Sequence, residues 1–384
     1  MSEKKQSKLG QMFSCMTGKN RKSEPAGRYA VIMAGGKGER FWPLSTSKHP
    51  KQLLALVGDK PLIAQAVDRL DGLIPPENVF VVTNADLVEA TQQAAPMLPP
   101  ENIVGEPIGR DTAAAVACGG ALVAARDPGG VFAVLTADQV MADLDVFKAT
   151  LRGGMDLAEA NEILVTIGIQ PNFPSTGFGY IESGDEYQSA ENVQFKKAVR
   201  FVEKPDEETA QTYLDTGKFF WNSGMFIWSV PTLGKAFAAH CPEMKELMDE
   251  LTDYAARGEI FQGLKKTYAT LGKISIDYAL MEKADNIVMA CGTFTWDDVG
   301  SWPAIESHFP KDESGNTLIG TCEQIDSKNN IIYSKDRLTA VIGAENLVVV
   351  QAEGVTLVCP KEKAQSIKQM VSKLLEKGEY QDVL

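Results

Sequence analysis

The sequence predicts an α/β protein built on a mixed, mainly parallel sheet, with a small β-rich domain and a terminal helix at its C-terminal end. Three observations carry this reading. Short runs that are apolar on both faces recur at residues 29–33, 78–83, 131–136 and 163–169, as buried strands do. Helical stretches separate the first three, among them 61–70 and 113–125. After about Phe309 the texture shifts to closely spaced β-like runs at 330–333, 339–342, 347–351 and 355–358. An amphipathic helix near 362–375 follows them.

The chain has 384 residues, 44% of them hydrophobic and 23% charged, enough for a large domain and a smaller one. A catalytic-sized domain is expected over 29–310, a polar linker at 311–316, and the β-rich domain over 311–384. Residues 1–28 carry seven Lys/Arg against two Glu and little apolar periodicity, the pattern of a disordered basic tail. The net charge of −13 argues against nucleic acid as a partner. The longest uncharged apolar stretch, 112–125, is shorter than the ~20 residues that a bilayer needs. It reads as a buried helix, so no membrane partner is expected. Six cysteines at 15, 118, 241, 291, 322 and 359 form no metal knuckle or redox pair, and no signal-peptide pattern opens the chain. A reducing cytoplasmic location follows as the expectation.

In such sheets ligands bind beyond the carboxyl ends of the strands. The first strand runs into Ala34, Gly35, Gly36, Lys37 and Gly38, followed by Arg40. Glycines there let the backbone approach a phosphate, and Lys37 and Arg40 supply charge-assisted contacts. Lys51, in the PKQ stretch 50–52, is positioned to reach back into this loop. A Walker loop is absent, and the dinucleotide fingerprint starting at Gly36 fails because Phe41 occupies its third glycine position. Asp138 follows a buried strand and Asp298 sits in a Trp/Gly-rich loop. From spacing alone each is also explained as a helix cap. Lys204 and Glu203 taken singly read as a surface pair, and Asn222 as part of an ordinary turn.

The stretches GGKGERFWPLS with PKQ, EPIGRDTA (106–113), LTAD (135–138), GFGYI (177–181), FVEKP (201–205), WNSGMF (221–226), SIDYALMEK (275–283) and WDDVGSW (296–302) occur in this order. Together they resemble the signature of sugar-nucleotide pyrophosphorylases, in particular bacterial-type mannose-1-phosphate guanylyltransferases, over roughly residues 29–360. The resemblance implies a Rossmann-like nucleotidyltransferase fold with a β-helix-like C-terminal domain. It implies transfer of GMP from GTP to mannose 1-phosphate with release of pyrophosphate. Arg40, Lys51 and Lys204 are then the catalytic cations. Ala34, Gly35, Gly36, Lys37, Gly38, Glu106, Gly109, Arg110 and Thr112 bind the nucleotide. Gly179, Glu203, Lys204, Asn222 and Asp277 meet the sugar phosphate, with Asp277 equally readable as a helix cap. Asp138 and Asp298 are implied as ligands of Mg²⁺, with Asp297 the rival for the second position.

Two positions depart from the family pattern: Gln139 stands where a His is usual, and Asp111 where an Asn is usual. A sugar 1-phosphate is already an anion near neutral pH and needs no general base to attack. This suits a chain with only three His. Other nucleotide and hexose 1-phosphate pairs, a non-catalytic nucleotide-sugar-binding regulator and a scaffold are the alternatives. A homodimer is the assembly expected from the β-rich appendix, and no fused isomerase motif is recognised.

Overall fold

The computed structural model describes residues 27–190 and 192–384. The expected basic tail lies, over residues 1–26, outside the described residues. Arg28 already belongs to the first strand, and its guanidinium pairs with Asp156 and Glu159. In chain order the strands are β1 (Arg28–Ala34), β2 (Val79–Asn84), β3 (Ile103–Glu106), β4 (Val131–Thr136), the short β5 (Val140–Met141), β6 (Leu164–Ile169), β7 (Tyr180–Ala190), β8 (Val193–Val202), β9 (Phe219–Ser229), β10 (Ile287–Gly292) and β11 (Trp296–Asp297). The helices are α1 (Leu62–Asp68), α2 (Val88–Ala94), α3 (Thr112–Arg126), α4 (Leu144–Ala160), α5 (Glu207–Thr216), α6 (Val230–His240), α7 (Pro242–Ala256) and α8 (Ile260–Thr267).

Nine strands form one sheet in the order β3-β2-β1-β4-β9-β6-β10-β8-β7. β1 to β4 pair in parallel, as do β6 and β10, whereas β9 runs antiparallel between β4 and β6. Alternation along β1 explains the three layers. Ala30 and Ile32 point to the face covered by α1 and α4, with Ile63, Phe147 and Leu151. Tyr29 and Val31 point to the face covered by α3, α6 and α7, with Val116, Leu233 and Leu247. Both faces are covered, which is why these strands read as continuous apolar runs. The chain turns from β1 to β2 on one side and reaches β4 on the other. The carboxyl ends of β1 and β4 therefore flank a topological switch point.

The C-terminal part adds β12 (Thr317–Ile325), β13 (Ile331–Ile342), β14 (Leu347–Ala352), β15 (Val355–Pro360) and α9 (Ile367–Lys377). The first three pair in parallel through short connections and β15 closes the sheet antiparallel. Stacked corners are pinned by buried asparagines: Asn330 Nδ2 donates to Asn316 Oδ1 at 3.0 Å, and Leu347 N donates to Asn330 Oδ1 at 2.9 Å. The runs expected at 330–333 and 339–342 are parts of one strand, β13. The helix expected at 362–375 divides into a 3-10 turn, Lys361–Ser366, and α9. The expected linker 311–316 is a fastened turn, where Asp312 Oδ1 accepts from the backbone N–H groups of Ser314 and Asn316. The appendix also shares a core with the glycine-loop segment: Phe41, Trp42, Val299 and Trp302 pack with Tyr333, Val350, Ile367 and Val371.

Candidate active site

Buried hydrogen bonds fix the glycine loop. The Ala34 carbonyl accepts from Gln52 Nε2 at 2.7 Å and from Thr83 Oγ1 at 3.0 Å. Gly38 has φ +62°, and a Cβ there would lie 2.4 Å from Lys51 Cβ. Only glycine fits both demands, and its absent side chain lets Lys51 pass beneath the loop. A Cβ on Gly36 would meet nothing within 4 Å and one on Gly35 only Glu106 Oε2 at 4.0 Å, so this stretch of backbone borders open space.

Two adjoining cavities share Asp138. The first, about 320 Å³, is bounded by Ala34, Gly35, Gly36, Glu106, Gly109 and Thr112. The second, about 640 Å³, is bounded by Lys37, Gly38, Arg40, Lys51, Asp298 and, from the far end of the chain, Lys368 and Ser372. The cleft thus opens at the strand tips of β1 and β4, with a mainly apolar space on one side of Asp138 and a cluster of cations on the other.

Lys51 is 5% exposed and spans the two acids. Its Nζ lies 3.0 Å from Asp138 Oδ2 and also donates to the Asp298 carbonyl. Burial pushes the Asp298 carboxyl up to about 6; Lys51 opposes the shift, and Asp297 and Asp138 add to it. Asp138 and Asp298 border the same cavity and offer carboxylate oxygens, the hard ligands that a divalent cation takes together with phosphate and water. Asp297 is diverted from the cavity. It accepts from His308 Nε2, 2.8 Å away, and from Val299 N, at 2.7 Å. Val299, directly after the two acids, adopts φ +44°, a strained conformation for a β-branched residue.

Glu106, at the end of β3, is 5% exposed, and its Oε1 has no hydrogen-bond partner. Burial pushes its carboxyl up to about 7, with Tyr268 opposing. Thr112 opens α3, and its Oγ1 accepts from Ile276 N at 2.8 Å. Arg110 does not reach the cavity: its guanidinium donates to the carbonyls of Tyr268 at 2.9 Å and Ala269 at 2.8 Å, fastening that loop to α3. Asp111 is not its partner. With φ +69° it caps α3 by accepting from Thr112 N.

The sugar-side residues form a second cluster. Asn222 Nδ2 donates to Asp277 Oδ1 at 2.8 Å, and Asn222 N donates to the Gly179 carbonyl at 2.8 Å. A Cβ on Gly179 would lie 2.8 Å from Glu203 Oε2. Burial raises the Asp277 carboxyl; Asn222 opposes the shift and Glu203 adds to it. Asp277 is the first residue of a π-type turn, Asp277–Met281, and not its cap: the cap position is Ile276, and no side chain caps the turn. Gly224, two residues past Asn222, abuts Thr136 in the wall of the first cavity. Lys204 stands apart from both cavities, paired with Glu203 at 2.5 Å and held at φ +41°.

Residues 29–315 match the family model described as nucleotidyl transferase, and 321–374 the model described as a MannoseP isomerase/GMP-like beta-helix domain. The chain belongs to the nucleotidyl transferase family. Within it, the chain is similar to a Klebsiella pneumoniae mannose-1-phosphate guanylyltransferase, with 37% identity over 91% of this chain and 75% of the relative. A mannose-1-phosphate guanylyltransferase of Escherichia coli strain K12 is 34% identical over 92% of this chain and 74% of that one. Among solved structures, one described as mannose-1-phosphate geranyltransferase from Thermus thermophilus superposes with a TM-score of 0.80. It is 33% identical and covers 90% of this chain and 99% of that one. The protein is thus an enzyme of the mannose-1-phosphate guanylyltransferase type.

In this nucleotidyltransferase Gln139 is buried. Its Nε2 donates to the Ser223 carbonyl at 2.7 Å and its Oε1 is unpaired, so it ties β9 to the loop after β4 without titrating. Sequence reasoning missed Asn84, at the tip of β2, and Lys368 and Ser372 on α9. Asn84 could be found from its place one step past an apolar run. The α9 residues carry no local signal.

Proposed function

We propose that the enzyme transfers GMP from GTP to α-D-mannose 1-phosphate, giving GDP-mannose and pyrophosphate. The observation that carries this reading is the single cleft in which Lys37, Arg40 and Lys51 converge with Asp138 and Asp298 beside a buried Glu106 whose Oε1 has no hydrogen-bond partner. The names of the curated relatives support the choice of substrates.

An oxygen of the sugar phosphate forms a bond to the α-phosphorus as the bridge to the β-phosphate breaks, and pyrophosphate leaves. The attacking oxygen is already anionic, so the chain's task is positioning and charge stabilisation. Backbone N–H groups of residues 34–38 and the Arg40 guanidinium hold the triphosphate. Lys51, fixed by Asp138 and the Asp298 carbonyl, faces the α-phosphate. Asp138 and Asp298 hold Mg²⁺, which supplies charge neutralisation between the two anions when bound. Glu106, once ionised, accepts two N–H groups from the Watson–Crick edge of guanine, an edge that adenine lacks. Glu203, Asn222 and Asp277 accept and donate to sugar hydroxyls, and Lys204 leaves Glu203 to meet the incoming phosphate.

Purified protein tested for pyrophosphate release across four NTPs and several hexose 1-phosphates is expected to prefer GTP with mannose 1-phosphate. Glu106→Gln is expected to lose that preference for GTP over ATP. No release with any pair would overturn the proposal. For the assembly we propose a homodimer, supported by apolar Ile325, Leu338 and Ile342 exposed on the C-terminal sheet. Light scattering that gives a monomer mass overturns it. No helix among the described residues is long and apolar enough to cross a membrane. The cytoplasm remains the proposed location, supported by five free cysteines among those residues.

A further inference from the structure

We propose that Lys368 and Ser372 of α9 bind the β- and γ-phosphates of the nucleotide and the departing pyrophosphate, so that the C-terminal appendix is part of the active site. The inference rests on the proposed nucleotidyl transfer. Both residues border the cation-rich cavity with Lys37, Arg40 and Lys51. They lie four residues apart on one helix, so their side chains share a face.

The order of groups along the cleft assigns the ligand. Glu106 and Thr112 lie in the cavity on one side of Asp138, whereas Lys37, Arg40 and Lys368 lie in the one on the other side. A nucleotide with its base near Glu106 and its α-phosphate near Lys51 therefore extends its terminal phosphates toward α9. Packing holds the helix there: Ile367 and Val371 are buried against the core that contains Phe41 and Trp42, which directly follow Arg40. Lys368 itself is loosely held. Its Nζ is 3.9 Å from Glu39 Oε2 and the side chain is 63% exposed, an ion pair of little strength. An arriving polyphosphate, with several negative charges, outcompetes one carboxylate for that ammonium group. Ser372, one turn further on, donates its hydroxyl to the Lys368 carbonyl at 3.1 Å, and it has to turn from that carbonyl to meet a phosphate.

The test uses the full chain and compares Lys368→Met, Lys368→Arg and Arg40→Ala in both directions of the reaction. For Lys368→Met we expect KM for GTP and for pyrophosphate to rise about tenfold, as loss of one charge-assisted contact does. KM for mannose 1-phosphate and the melting temperature are expected to stay unchanged, and Lys368→Arg to recover most of the loss. A normal pyrophosphate KM in Lys368→Met beside a strong defect in Arg40→Ala overturns this inference alone. Normal kinetics in both variants overturn the active-site reading as well. Should Lys368→Met melt early, the Arg variant decides: equal stability to Lys368→Met with recovered pyrophosphate KM supports binding, and unrecovered KM refutes it.

Discussion

Gly38 sits where one added methyl group would displace a catalytic candidate. With φ +62° and a virtual Cβ 2.4 Å from Lys51 Cβ, Gly38→Ala has to strain the loop or push Lys51 off Asp138. We expect a stability loss of ~1–3 kcal/mol, read by denaturant melts, and a larger fall in kcat than in thermal stability. On the proposed roles, Arg40→Ala, Lys51→Ala and Asp138→Asn should each lower kcat by ~10²–10³, the first two by removing a cation that meets phosphate and the third by removing a carboxylate that would hold the metal. Glu106 yields a pH signature. Its carboxyl is raised to about 7 in the folded chain from the ordinary 4.5. Between those values the folded chain keeps a proton that the unfolded chain releases, so stability falls as pH rises through this window. The contribution is present below 4.5 and gone above 7, worth about 3–4 kcal/mol at most. Glu106→Gln should flatten that slope, measured by denaturant unfolding at about pH 5 and about pH 8, on either side of the window.

At the scale of elements, α3 and β1 lie unusually close because α3 presents Gly119 to the sheet. A Cβ at Gly119 would sit 2.4 Å from Val31 Cγ1, within a fully buried core. Alanine is the better helix former by about 1 kcal/mol, but overpacking costs ~1–3 kcal/mol and Val31 has no room to retreat. We therefore expect Gly119→Ala to lower the melting temperature, against its helix propensity. The loops around the site are strained in a common way. Asp111, Lys204 and Val299 all have positive φ, at a cost of ~1–3 kcal/mol each. Each lies at or beside a proposed ligand: Thr112, Glu203 and Asp298. The surrounding strands and helices supply the packing that keeps these bends in place.

Across the whole molecule, the C-terminal sheet braces the segment after the glycine loop. Trp302 is fully buried between the two parts. Its ring lies 5.4 Å from that of Phe41 and 5.3 Å from that of Tyr333. Trp302→Ala should cost ~3–5 kcal/mol of stability and, in the surviving folded protein, raise KM for GTP by loosening the segment that carries Arg40. A fall in melting temperature with unchanged GTP KM would separate the brace from the site.

The parallel core was legible in residue order alone, because strands buried on both faces must be continuously apolar and β1, β2, β4 and β6 are. Gly38, Arg40 and Lys51 could be singled out in the sequence because they fall within one short glycine-rich and basic segment, and all three border one cavity. Strands such as β7, β8 and β9 escaped that reading: exposed stretches and register breaks blur their alternation. That Asp298 and not Asp297 borders the cleft is decided in three dimensions, because His308 and the Val299 N–H hold the Asp297 carboxylate elsewhere. Packing likewise diverted Arg110 to the carbonyls of Tyr268 and Ala269, and left Lys204 beside Glu203. Folding alone carries Lys368 across more than three hundred residues to Arg40, because that juxtaposition comes from a core shared by two distant segments and leaves no periodicity or spacing to read.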